Sequence, residues 1–156
     1  MENEVLATVK ASAVRRWIGI GTLGILGFLL IYVAFAQPPA FTWQLFLLCV
    51  GALALWMADK MRRATERVIE LTETELRDSS GAVLAQIGDI ESVDRGFFAF
   101  KPSHGFLIKM KSPGTRAWLP GLWWRVGRRI GVGGVTPGSQ TRFMSEMLAA
   151  ILAQRD

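Results

Sequence analysis

The chain has 156 residues, 51% hydrophobic and 20% charged, with 18 basic and 13 acidic residues and a formal net charge of +5. It holds one histidine, His104, and one cysteine, Cys49. That leaves no basis for a disulfide framework, a Cys/His metal cluster or a nucleophile triad, and no catalytic residue, cofactor or metal is expected.

No charged residue occurs from Trp17 to Ala58, and both ends of that stretch are basic: Lys10, Arg15 and Arg16 precede it, and Lys60, Arg62, Arg63 and Arg67 follow it. The stretch divides at Gln37-Pro38-Pro39 into runs from Trp17 to Ala36 and from Phe41 to Ala58. Twenty helical residues at about 1.5 Å each cover about 30 Å, the thickness of a bilayer's hydrocarbon core. The pattern predicts a two-helix transmembrane hairpin over 17–58, turning at 37–40. Basic flanks stay on the cytoplasmic side, and the loop carries no Lys or Arg, so both termini are expected in the cytoplasm. Trp17 and Trp56 then fall near the inner interface and Trp43 near the outer one.

The first run has a rival reading as a signal peptide, with Ala34-Phe35-Ala36 resembling a cleavage site. Its apolar core is longer than the usual 7–15 residues, which favours an uncleaved anchor. Arg15-Arg16 resembles a twin-arginine export signal, against which the second span argues. Gly21, Gly24 and Gly27 recur in the first span and Gly51 lies in the second. Small residues let helices approach closely, so these four are the candidate helix-packing positions, either within the hairpin or against a larger membrane complex. Neither span carries an ionisable group of the kind a proton path, ion site or voltage sensor needs.

Residues 59–66 read as a short basic connector and 67–156 as one small domain. Period-two patterning predicts strands at 67–71, 75–78, 83–87, 89–94 and 106–111, with shorter ones at 116–118 and 129–132. Ser79-Ser80-Gly81 and Ser112-Pro113-Gly114 are turn signals. Phe97 to Phe100 is an aromatic run, and Lys101 to Gly105 a loop. After Thr136-Pro137-Gly138-Ser139 the period becomes 3.6, predicting a helix over about 137–154 with Phe143, Met147, Leu148, Ile151 and Leu152 on one face. Thr136 or Ser139 is its candidate cap.

Leu71-Thr72-Glu73-Thr74-Glu75-Leu76-Arg77-Asp78, then Ile87-Gly88-Asp89-Ile90-Glu91-Ser92-Val93, and a late Val135-Thr136-Pro137 leading into a helix, resemble bacterial pleckstrin-homology-like domains. The resemblance spans about 67–152. It implies a β-rich PH-like domain capped by a C-terminal amphipathic helix, a bacterial inner (cytoplasmic) membrane location, and a scaffold-like role. It brings no catalytic or binding residues, and Pro120 to Arg125 has no counterpart in its pattern.

Charge is uneven along this domain. Asp59 to Asp94 holds nine acids and five bases, whereas Arg95 to Ser145 holds nine bases and no acid. Either the halves neutralise each other across neighbouring strands, or a basic surface faces anionic lipid or an acidic partner. The segment Trp118 to Arg129 stands out. Arg116, Trp118, Trp123, Trp124, Arg125, Arg128 and Arg129 are the candidate lipid or partner contacts, with burial of one or two tryptophans in the core as the plainer alternative. The segment lacks a recognisable nucleic-acid motif, and nucleic acid is not an expected partner. His104 is expected in an exposed turn. Asp89, Glu91 and Asp94 could in principle work as a carboxylate group, but Asp89 and Glu91 share a strand face as most solvated pairs do, and Arg128 to Gly134 is glycine-rich without P-loop spacing. The expected function is that of a non-enzymatic membrane accessory or scaffold protein docked on a larger membrane complex, with an anionic-lipid-binding surface sensor as the alternative.

Overall fold

A computed structural model describes residues 4–37, 40–94 and 104–155. Pro38 and Pro39 of the expected reversal, the aromatic run 97–100 and residues 101–103 of the loop lie outside them.

The uncharged stretch forms two helices, α1 (Ala13–Ala36) and α2 (Phe41–Ala64), each of 24 residues and each long and apolar enough to cross a membrane. They pack antiparallel. A Cβ on Gly27 would lie 2.8 Å from Gly51 O, and one on Gly51 would lie 3.0 Å from Gly27 O and 2.8 Å from Ile31 Cγ1. The backbones thus touch where only glycine leaves room. Near the turn, Gln44 Nε2 donates to Ala34 O at 3.1 Å, which satisfies a polar side chain within an otherwise apolar pair. α2 runs six residues past Ala58, so most of the expected connector is helix.

The β region has two antiparallel sheets. The first contains β1 (Ala7–Lys10), β2 (Val68–Leu71), β3 (Glu75–Asp78) and β4 (Val83–Gln86), in that spatial order. A 3-10 turn at Ile87–Asp89 leads to the second sheet. Its strands are β5 (Ile90–Asp94), β6 (Phe106–Met110), β7 (Ala117–Leu119), β8 (Trp123–Val126) and β9 (Arg129–Val132), ordered β5-β6-β9-β8-β7. The expected strands are present. β1 and β8 are additions, and Ile87 belongs to the turn.

β1 changes the domain boundaries drawn from sequence. The segment before α1 is part of the sheet: Val9 pairs with Ile69 and Lys10 with Val68, and Val9 and Ile69 are fully buried. The helical hairpin is therefore an insertion between two neighbouring strands, and both of its ends meet the β region together.

A continuous core joins the sheets to α3 (Gly138–Arg155). It includes Val9, Ile69, Leu71, Leu76, Leu84, Phe106, Ile108, Leu122, Trp123 and Ile130, with Met144, Leu148 and Leu152 from the helix. Full burial of each large aliphatic or aromatic side chain contributes about 1.5–3 kcal/mol. The buried stripe of α3 is Thr141, Met144, Ser145, Leu148 and Leu152. That is rotated from the expected face: Met147 and Ile151 sit at its margin, and Phe143 is 51% exposed. Two small polar residues take core positions because both hydroxyls have local acceptors, Thr141 Oγ1 on His104 O at 2.6 Å and Ser145 Oγ on Arg142 O at 2.8 Å. Thr136 also turns its hydroxyl to His104 O, at 3.3 Å.

Candidate functional site

The end of the hairpin nearest the sheets is fastened by the basic residues that precede the uncharged part of α1. Arg16 Nε donates to Thr65 Oγ1 at 2.7 Å, and Arg16 Nη2 donates to Arg62 O at 3.0 Å. The last carbonyls of a helix have no intrahelical donor, so this guanidinium caps α2 from α1. Arg15 Nη1 donates to Thr136 O at 3.1 Å, and Ser12 N donates to Val135 O at 2.8 Å. The turn between β7 and β8 closes against the same place. A Cβ on Gly121 (φ +87°) would lie 3.0 Å from Thr65 Cγ2 and 3.3 Å from Met61 Cε, and Gly134 (φ +138°) packs directly on the Gly121 backbone. Both positions combine a positive φ with close packing, against side chains at Gly121 and against backbone at Gly134, which favours glycine.

Beside this junction lies a groove of 370 Å³ lined by Trp56, Lys60, Arg63, Ala64, Arg67, Trp118 and Leu119. Trp56 and Lys60 are four apart on α2 and share a face. Lys60 Nζ sits 5.0 Å from the Trp56 ring and 4.8 Å from the Trp118 ring, held between a helix and a strand by two cation–π contacts. No carboxylate lies within 4 Å of it among the described residues. The other cations there are paired. Arg63 Nη2 is 2.6 Å from Asp59 Oδ2, Arg62 Nη2 is 2.8 Å from Asp59 Oδ1, and Arg67 Nη1 is 3.2 Å from the buried carboxylate of Asp78. Asp78 also accepts from Ser80 N at 2.9 Å and from its hydroxyl, closing the β3–β4 turn.

The seven residues singled out between 116 and 129 do not form one surface. Trp123 is in the core, 3% exposed, and its indole Nε1 has no hydrogen-bond partner among the described residues. Trp124 packs its indole against Gly131, its cross-strand neighbour; a Cβ there would lie 2.4 Å from Trp124 Cε2 and 2.5 Å from its Nε1. Arg125 spans the two sheets: it donates to Thr115 O in the loop before β7 and to Leu84 O on the edge strand β4 at 3.0 Å. Trp118 is 42% exposed and faces the groove. Arg116, Arg128 and Arg129 are exposed and gather at the other end of β7, β8 and β9. Gly114 N bonds to Gly127 O there. At about 3.3 Å per residue, that end is about 10 Å farther from α2 than the Gly121 turn.

Of the four glycines considered for helix packing, Gly27 and Gly51 make the crossing, while Gly21 and Gly24 face open space, where a Cβ would meet no atom of another element within 4 Å. The glycine-rich run after Arg128 is accounted for by packing, with Gly131 under Trp124 and Gly134 on Gly121. His104 is exposed (φ 54°) and borders an open depression of 340 Å³ with Arg142, Ser145 and Glu146. Asp89, Glu91 and Asp94 are exposed. Lys109 and Glu91 join the two charge halves at 3.9 Å, whereas Arg62, Arg63, Arg67 and Arg77 pair within the acidic half.

No family model, curated protein or solved structure matches this chain. Function has to be read from the geometry of the junction. Lys60, Trp56, Arg63 and Arg67 were not singled out in sequence as a site, although the Trp56–Lys60 spacing was visible. The missing information was that Trp118, far along the chain, completes the cage around Lys60.

Proposed function

We propose that this chain is a non-enzymatic integral membrane accessory or scaffold protein. The α1–α2 hairpin crosses a bacterial inner (cytoplasmic) membrane with both termini cytoplasmic. It docks on a larger membrane protein complex and holds a PH-like binding domain against the membrane face. The observation that carries the reading is the surface of the hairpin. Only 11% of the apolar window of α1 and 17% of that of α2 is buried, whereas a core helix of a water-soluble protein buries most of its length. Ile18, Ile25, Phe28, Tyr32, Phe35 and Phe46 all point outward and more than half exposed, an apolar area far beyond what a soluble monomer leaves in water.

Trp17 and Trp56 at one end and Trp43 at the other are exposed at the levels where amphipathic rings settle in a bilayer. The PH-like reading is supported by two antiparallel sheets followed by a C-terminal helix packed on them. The outward Gly21 and Gly24 leave a shallow notch that suits an apolar partner helix. A signal peptide cut after Ala36 would remove β1 as well as α1, which favours the uncleaved anchor.

Purification from native membranes in mild detergent tests the docking role. A stoichiometric membrane partner should be retained by the native chain and lost on Gly21→Leu/Gly24→Leu. A chain that migrates alone under every mild condition refutes docking.

The second reading, recognition of anionic lipid at the membrane surface, is favoured by the cluster at the end of α2, where Arg16, Lys60, Arg62, Arg63 and Arg67 outnumber Asp59, Glu66 and Asp78. Binding of the full chain to anionic bilayers should then fall steeply with salt. A fragment starting at Asp59 lacks β1 and is unsuited to this measurement.

A further inference from the structure

We infer that the groove between α2 and β7 is a binding site for the phosphate of an anionic phospholipid, with Lys60 as the principal contact. Resting on the membrane placement proposed above, the site lies at the right depth: Lys60 is two residues beyond the last residue of the uncharged stretch, and Trp56 is one helical turn nearer the bilayer centre. Headgroup phosphates lie at that level, just outside the hydrocarbon.

The chemistry of the groove agrees. Its charged lining is wholly cationic, Lys60, Arg63 and Arg67. Arg63 and Arg67 have their carboxylates, but Lys60 has none among the described residues, and an ammonium with three donors between two indole faces keeps at least one to give to a phosphate oxygen. The rings fix the direction of a long side chain that would otherwise be mobile, so little entropy is left to lose when a phosphate oxygen takes those donors. The volume, 370 Å³, is within the range of sites for small ligands. Trp56, 48% exposed, and Leu119 supply apolar walls for the glycerol and first acyl carbons. The site is separate from the basic end of the second sheet at Arg128 and Arg129, which lies beyond the far end of β8.

The test uses the full chain in a neutral detergent, with phosphatidylglycerol as probe and phosphatidylcholine as comparison, read by native mass spectrometry. The native chain should retain one phosphatidylglycerol in preference to phosphatidylcholine. Lys60→Gln should reduce that occupancy at least tenfold, Trp118→Ala should also reduce it, and Arg142→Gln, which removes a charge on α3, should leave it unchanged. Thermal melting of each variant runs in parallel. If Lys60 only staples α2 to β7, Lys60→Gln lowers the melting temperature and leaves lipid occupancy intact, and the site is overturned. Equal retention of the two lipids, or loss of phosphatidylglycerol on Arg128→Gln/Arg129→Gln with Lys60 present, also overturns it. Displacement of the lipid by millimolar inorganic phosphate would assign the groove to a free anion and overturn the lipid assignment. Failure here leaves the docking role standing, whereas recovery of the chain in the soluble fraction removes the membrane placement itself.

Discussion

Arg16, in the first turn of α1, donates through Nε to Thr65 Oγ1 at 2.7 Å, and Thr65 is the residue that follows the last residue of α2. One side chain thus binds the entry of the hairpin to its exit. Thr65 is 3% exposed and its hydroxyl also donates to Met61 O at 2.7 Å, so the contact is internal to the fold. Arg16→Ala strips a charged donor from Thr65 Oγ1 and from Arg62 O. A loss of about 1.5–3 kcal/mol is expected, read as a lower melting temperature of the full chain in detergent. Arg16→Lys should restore less than half, because an ammonium cannot reproduce the planar fork that reaches both acceptors.

The two kinds of glycine in α1 should separate cleanly. Gly27→Ala places a methyl 2.8 Å from a carbonyl oxygen of the other helix. The helices must part, at a cost of about 1–3 kcal/mol for overpacking. Gly21→Ala and Gly24→Ala meet nothing and should be neutral, or stabilising by up to about 1 kcal/mol through helix propensity. Resistance of the hairpin to denaturing detergent compares the three.

The tryptophans of β7 and β8 should differ in the same way. Trp123→Ala empties the core and should cost about 3–5 kcal/mol. Trp118→Ala should change the stability of the sheets by less than about 1 kcal/mol, since its ring is 42% exposed and its charged neighbour is a single lysine. Gly131→Val should push the Trp124 ring off the sheet. Indole fluorescence shifting to the red, with a lower melting temperature, checks that outcome.

Removal of residues 1–11 should destabilise the β region. It takes away an edge strand whose Val9 is fully buried, and it uncovers Ile69 and Leu71 on β2. Val9→Asp should act alike by burying an unpaired carboxylate. Amide hydrogen exchange across Val68–Leu71 should accelerate in both variants, whereas a dispensable tail would leave it unchanged.

The two long apolar helices, most strands and the last helix were legible in the sequence because each is a local pattern. An uncharged run of membrane-spanning length, a two-residue alternation and a 3.6-residue period are written in consecutive residues. The face of α3 was misplaced because hydrophobicity was read alone. Thr141 and Ser145 are buried through hydrogen bonds to His104 and Arg142 carbonyls, which a hydropathy pattern cannot register, and Phe143 was left outside. β8 was hidden because Trp123, Trp124 and Arg125 looked like a surface motif. Its alternation only makes sense once Trp123 enters the core, Trp124 covers Gly131 and Arg125 crosses to β4.

The sequence by itself determined that the chain carries two helices of membrane-spanning length with basic flanks, a β-rich remainder and a terminal helix. Tertiary structure alone decided how these parts are joined. β1 and β2 pair across an insertion of two helices, so the flanking Arg15 and Arg16 act as clamps on the sheet end of the hairpin. Trp118 meets Lys60 because the β7–β8 turn docks on the end of α2. Both relationships depend on the hairpin returning the chain to its starting point. That closure is a property of three-dimensional packing, and no window of neighbouring residues contains it.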